Sequence, residues 1–243
     1  MRTITKGAQP QELLRWRADN AAVPQNLVYG EGAFPSEAVR NSLLAEQLHL
    51  CAYTMRPLKT AAECQAHGLD TRASCHIEHL LPQCRKVLGE DIDYQNMVAC
   101  YPPSQSTVAC EFGAPAKADF DPSTGGFVSP LSPNAQNHFL FDERGGVQGC
   151  TEAGSATIEV LRLNHQALVH DRAAVIRGAL QPRGKKLSAQ AARRLAQQAS
   201  QPDAQQCLPA YCIAIAQAAL RYAEREEKRA ARMKKKGGAD AEK

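Results

Sequence analysis

Aromatic side chains are scarce in this chain: one Trp, six Tyr and six Phe among 243 residues. Near its most basic region only Tyr211 and Tyr222 are available, too few for a single-strand binder built on rows of stacked bases. Long apolar runs are missing as well. The longest, around Cys207 to Ala219, contains Pro209 and Gln217 and falls short of the roughly eighteen uninterrupted apolar residues of a membrane span, so no transmembrane helix is expected. The opening Met1-Arg2-Thr3-Ile4-Thr5-Lys6 lacks the apolar stretch that follows the basic end of a secretory signal, and a cytoplasmic address is expected. An even set of cysteines is lacking too. The nine thiols at 51, 64, 75, 84, 100, 110, 150, 207 and 212 read better as free thiols or metal ligands than as a disulfide framework.

What is present is an ordinary hydrophobic content of 44%, enough for one large core or two small ones. The net charge of +4 is mild but uneven: from Arg183 to Lys236 there are 13 Lys or Arg against 4 Asp or Glu. Apolar spacing predicts helices over 11 to 19 and 36 to 50, the second opened by Pro35-Ser36-Glu37 and carried by Val39, Leu43, Leu44 and Leu48. From Cys51 to about Asp121 the pattern changes to short pieces divided by Pro, Gly and Cys, with strands expected at 51 to 54 and 74 to 79. A loop-rich stretch from 121 to 149 has room for a hairpin ending at Phe139-Leu140-Phe141. Helices follow at 155 to 176, 187 to 200 and 210 to 233. The expected division is a helical segment (1–50), an irregular, cysteine-bracketed core (51–122), a loop-rich then helical part (123–222) and a basic, disordered tail (223–243).

Chemistry concentrates in the irregular core, where His76, Glu78 and His79 fall within four residues and Asn96 follows in Asp93-Tyr94-Gln95-Asn96. A carboxylate suits a hard divalent cation, and an imidazole either binds a metal or serves as a base near neutral pH. Neighbours on a strand point to opposite faces. Glu78 and His79 therefore share a site only where the strand ends, for which Pro82 gives a reason; in a continuing strand, His76 and Glu78 become the metal pair. An isolated His is ordinarily structural and an Asn in Tyr-Gln-Asn-Met ordinarily a turn residue, so the weight lies on the cluster. A zinc site from Cys51, Cys75, Cys100 and Cys110 is a further expectation, against the simpler reading of small buried thiols. Lys117, Arg193 and Arg194 are candidate phosphate contacts, with Arg225, Lys228, Arg229, Arg232 and Lys234 to Lys236 in the tail; the competing reading is a solvated helix face with Glu224 spaced to pair with Lys228.

Cys51-Ala52-Tyr53-Thr54, His76-Ile77-Glu78-His79-Leu80-Leu81-Pro82, Asp93-Tyr94-Gln95-Asn96 and Cys110-Glu111-Phe112-Gly113-Ala114-Pro115-Ala116-Lys117, in that order, resemble an HNH endonuclease. More narrowly the chain is similar to the HNH subunit of Septu-type and retron-associated anti-phage systems, a likeness that extends to Met1 to Lys6, to Leu161-Arg162-Leu163-Asn164-His165 and to Leu208-Pro209-Ala210-Tyr211-Cys212. The resemblance implies a mainly helical α+β protein with an embedded ββα-metal finger, cleaving DNA with magnesium or manganese and working with an ABC/SMC-like ATPase. It also implies Glu78 as metal ligand, His79 as general base and Asn96 as the residue that orients the base and its loop. Two departures stand out. Relatives carry two Cys-x-x-Cys pairs for zinc, whereas here Thr54 takes the place of one cysteine and Cys100 and Cys110 are far apart. The last motif residue falls on Ala114, which leaves Asp119, Asp121 and His138 as candidates for a third ligand. A DNA-binding or adaptor module whose finger has degenerated is the alternative.

Overall fold

The computed structural model describes residues 1–239. Helix α1 (Gln11–Asp19) buries Leu13 and Trp16 and starts after Pro10, whose fixed φ suits a helix entry. Helix α2 (Ser36–Glu46) buries Val39, Leu43 and Leu44; it ends because Leu48 and His49 both take the left-handed conformation (φ 51° and 58°). Helix α3 (Ala61–Ala66) was not foreseen. Its sequence signal is a capping box, in which the Thr60 hydroxyl receives the Glu63 N–H and the Glu63 carboxylate receives the Thr60 N–H.

Strands β1 (His76–His79) and β2 (Met97–Cys100) form an antiparallel pair in the register His76↔Cys100, Ile77↔Ala99, Glu78↔Val98, His79↔Met97. The short helix α4 (Ala114–Lys117) follows, entered through Gly113 at φ 69°. The segment 51–54, expected as a strand, is instead a buried turn: Met55 N–H bonds back to Cys51 O, and one backbone hydrogen bond, Ala52 N–H to Ala99 O at 3.1 Å, ties it to β2. A second hairpin pairs β3 (Phe139–Phe141) with β4 (Val147–Gly149), so 139–141 begins the hairpin that it was expected to end.

The helix expected over 155–176 is two. Helix α5 (Glu152–Val160) and helix α6 (Gln166–Leu180) are separated where Arg162 adopts φ 47°. Asn164, in that break, donates to Val147 O and accepts from Val147 N–H, so the interruption completes the edge of β4. Helices α7 (Ala189–Gln198) and α8 (Cys212–Ala239) pack on each other, and α8 also meets α6 and β3. The segment expected as a disordered tail from 223 thus continues α8 to Ala239, and its last four residues lie outside the described ones. Among the described residues no helix is long and apolar enough to cross a membrane.

One core runs through these elements, from Met1, Leu13 and Leu43 to Phe139, Leu168 and Ala218. Two polar anchors inside it matter most for the β1–β2 pair. Gln47, 1% exposed, receives the Ala99 N–H at 2.7 Å and donates to Ala99 O and Leu50 O at 2.8 Å, taking the part of a neighbouring strand. Lys6 reaches Met97 O at 3.1 Å, pairs with Glu46 at 3.0 Å and lies over the Tyr94 ring. Gln47→Leu keeps the volume but leaves the Ala99 N–H and the Leu50 carbonyl unsatisfied. The expected loss is about 2–4 kcal/mol of unfolding free energy, measured by urea titration; a loss below half a kcal/mol would show that the amide is not an anchor.

Candidate active site

Strand β1 sets the site's geometry by alternation. His76 and Glu78 stand on its more exposed face, with Ile77 and His79 turned into the protein. His76 Nε2 and Glu78 Oε2 are 3.7 Å apart, beyond hydrogen-bond range. The other carboxylate oxygen, Oε1, is held by Lys117 Nζ at 3.1 Å and faces the Tyr53 hydroxyl at 3.5 Å. Burial lowers the pKa of His76, but the Glu78 carboxylate and the Pro102 carbonyl outweigh it and hold the imidazole above its ordinary value. Burial dominates at Tyr53, whose phenol is raised well above its usual range with Glu78 adding to the effect.

His79 occupies the opposite face and the last position of β1. One ring nitrogen meets the Asp91 carbonyl at 2.7 Å, and the Tyr29 ring packs edge-on at 4.7 Å between centroids. Desolvation lowers its pKa. A nitrogen facing a carbonyl must carry the proton, so in the neutral ring the other nitrogen is the free base.

Asn96, immediately before β2, clamps the loop that joins the strands. Its side-chain oxygen receives the Leu81 N–H at 2.7 Å and its amide donates to Glu90 O and Leu81 O at 3.0 and 3.2 Å. The loop carbonyls held by His79 and Asn96 belong to the adjacent residues Asp91 and Glu90, so the two side chains converge on one stretch of backbone. His79 and Asn96 thus anchor adjacent carbonyls of one loop, whereas Glu78 and His79 are on opposite faces of β1.

Lys117 departs from its expected role. It is 1% exposed at the side chain, donates to His79 O at 3.0 Å as well as pairing with Glu78, and offers no surface charge to a phosphate. Tyr53 and this use of Lys117 were missed, since nothing in their spacing tells that α4 folds back onto β1. Arg193 and Arg194 are exposed on α7, away from the strands; Arg193 is held by both oxygens of Glu227 at 2.8 Å. Of the other tail cations, Arg225 grips Glu143 and Lys234 to Lys236 have no described side chains.

The four cysteines divide. Cys51 and Cys100 are neighbours: burial opposes ionisation of Cys51, but hydrogen bonds from Cys100, Thr54 and the Tyr101 N–H draw its thiol down to about 5, while burial and Cys51 push Cys100 well up. Cys75 is pushed up to about 11 by burial, and Cys110 donates to Phe112 O at 3.3 Å. Among the candidates for a third metal ligand, Asp121 pairs with Arg85 at 2.7 Å and His138 bonds Thr151 at 2.7 Å, while Asp119 is exposed. Among the described residues no three His, Cys, Asp or Glu side chains converge as a metal-binding group.

No protein-family model matches the chain, and no curated protein matches it.

The opposed environments of the two imidazoles have a direct readout. In a pH titration followed by the imidazole NMR resonances, His79 is expected to titrate below about 6.5 and His76 above it; the reverse order would refute the assignment of faces. Asn96→Ala is expected to cost about 1–3 kcal/mol through the groups it orphans and to speed amide exchange across residues 80–92 selectively.

Proposed function

We propose that this chain is a metal-dependent HNH endonuclease acting in the cytoplasm on DNA, with β1, the Asn96-clamped loop, β2 and α4 as its ββα-metal finger. The observation that carries the reading is the convergence at the end of β1: a His-Glu pair on one face, a neutral imidazole fixed by a backbone carbonyl on the other, and an Asn holding the loop between.

The donor set fits a divalent cation. His76 Nε2 and Glu78 Oε2, 3.7 Å apart, are too far for a mutual hydrogen bond, and they are the two side chains that would hold such an ion. Two protein ligands suffice for magnesium, which keeps waters and takes substrate phosphate oxygens for the rest. When bound, such an ion polarises the phosphate and steadies the departing alkoxide. The chain's own part is positional. Lys117 fixes Oε1 of Glu78 so that Oε2 faces His76. The Asp91 carbonyl sets the His79 tautomer, leaving the second ring nitrogen to accept a proton from water, a role that typically contributes on the order of 100-fold to 10,000-fold. His79 lies on the face opposite Glu78, so on this reading the ring would act around the end of β1.

The resemblance to defence nucleases adds an ABC/SMC-like ATPase as partner, which restrains cleavage until a trigger arrives. A second reading has its own support: the Lys117 ammonium occupies one oxygen of Glu78 and among the described residues no third ligand converges, as in a finger that has lost its metal and serves as a DNA-binding or adaptor module.

The test is nicking of supercoiled plasmid with magnesium or manganese by the chain co-purified with its ATPase. Wild-type protein should nick; His76→Ala and His79→Ala should each lose at least about 100-fold per folded molecule, with the melt lowered in His79→Ala because the Asp91 carbonyl and the Tyr29 ring lose their partner. Glu78→Gln should lose activity too, but it also strips Lys117 of its counter-charge and lowers the melt, so His76→Ala is the cleaner metal-side variant. An inert wild-type complex that binds DNA would establish the adaptor reading, and full activity in His79→Ala would move the base elsewhere. If the chain elutes apart from the ATPase at every salt concentration, the partnership is lost.

A further inference from the structure

His79 is fixed by more than one carbonyl. The Asp91 carbonyl receives the proton of His79 Nε2 at 2.7 Å, and the carboxylate of the same residue receives the Tyr29 N–H at 2.8 Å. The Tyr29 ring in turn meets the imidazole edge-on, 4.7 Å between centroids at 89°. Asp91, His79 and Tyr29 therefore form a closed triangle of contacts, although Tyr29 belongs to the connection between α1 and α2, outside the β1–β2 unit.

The third corner is itself braced. The Tyr29 ring packs on Phe34 at 4.9 Å and Phe34 on Trp16 at 5.2 Å, and the Trp16 indole N–H donates to Gly32 O at 2.6 Å. Arg17, the next residue of α1, bonds the Ile92 carbonyl. Helix α1 and the connection after it thus hold the loop at two consecutive residues, Asp91 and Ile92. Burial raises the Tyr29 phenol, with Arg40 opposing, so an un-ionised ring is what faces His79.

One hydrogen bond alone holds an imidazole weakly, because water offers Nε2–H a comparable partner and a half-turn about the Cβ–Cγ bond moves both nitrogens. A ring packed edge-on at this distance obstructs the half-turn and takes the place of water beside the imidazole. We propose that Tyr29 is a positioning residue for His79, its ring keeping the imidazole on the Asp91 carbonyl as the Nε2–H tautomer with Nδ1 free. The inference rests on the nuclease reading for the use of Nδ1 as base, but the tautomer is read without cleavage.

The test is long-range proton–nitrogen NMR of the imidazoles of the full chain at alkaline pH, beside plasmid nicking by the complex with the ATPase. Wild-type protein and Tyr29→Phe, which keeps the ring and the main-chain N–H, should show His79 as the Nε2–H tautomer alone. Tyr29→Ala should give a mixture of tautomers at His79 while the His76 signals, from the other face of β1, stay in place. Its nicking should fall about 10-fold to 100-fold in kcat per folded molecule at unchanged KM, the scale of a misplaced catalytic group. Tyr29→Leu keeps most of the apolar volume without the ring, so it should behave as Tyr29→Ala does with less cost to the melt. A single His79 tautomer in folded Tyr29→Leu, a Tyr29→Phe that behaves like Tyr29→Ala, or equal disturbance of His76 and His79 would overturn the proposal. Mixed tautomers in Tyr29→Leu beside an inert wild-type complex would remove the nuclease and leave the hold of Tyr29 on the ring; nicking with a His79 tautomer indifferent to Tyr29 would do the opposite.

Discussion

A two-stranded sheet cannot satisfy its own backbone, and that constraint organises the first half of the molecule. Strand β2 is buried along its whole length but has only one strand neighbour, so its second edge must find donors and acceptors elsewhere or be left unsatisfied in a dry interior. The Gln47 amide, the Ala52 N–H and the Lys6 ammonium supply them from the end of α2, a turn and the opening segment. These contacts fix where β2 lies, β2 fixes the register of β1, and the register decides that His76 and Glu78 share a face. The site's geometry is thus set by side chains that take no part in its chemistry.

This also separates what the sequence makes legible from what it does not. Helix α1 runs over the span that apolar spacing predicts, because Leu13 and Trp16 at i and i+3 report a local property. The alternation of β1 is local too, and the His76–Glu78 face follows from it. Strand β2 escaped notice for the opposite reason: Met97-Val98-Ala99-Cys100 is buried on both faces, so it has no alternation to read. The break between α5 and α6 is set by Asn164 pairing with Val147, a partner distant in sequence, and an apolar pattern continuous on both sides conceals it. Lys117 is the clearest case in the site. Its place in the motif made it a surface cation, and only the return of α4 over β1 turns it into a buried counter-charge.

Burying a lysine is costly unless its charge is matched and its protons are placed. Lys117 meets both conditions, with Glu78 opposite and the His79 carbonyl as a second acceptor, and so ties the metal-side face of β1 to the backbone of the residue proposed as base. The two faces of the strand are mechanically joined although their side chains diverge. Asn96 adds the second tie, from the start of β2 to the loop whose carbonyl orients His79. A displacement of α4 or of the loop would therefore disturb both halves of the site at once.

The helical half is held by a different buried cation. Arg172, 1% exposed, donates to Gly145 O and Leu163 O at 2.6 Å and lies near the Phe141 ring, joining α6 to the β3–β4 turn and to the break after α5. Burial lowers its pKa to about 10, which still leaves it charged near neutral pH. Its neighbour Asp171 pairs with Arg56 at 2.8 Å. One turn of α6 thus locks the helical half with one residue and offers a carboxylate to Arg56 with the next, adding a polar contact to the core that the helices share with the β1–β2 unit. The basic face of α7 and α8 is less available than its composition implies. Arg193 is neutralised by Glu227 and Arg225 by Glu143, which leaves Arg194, Lys228, Arg229 and Arg232 as the exposed cations of this face among the described residues.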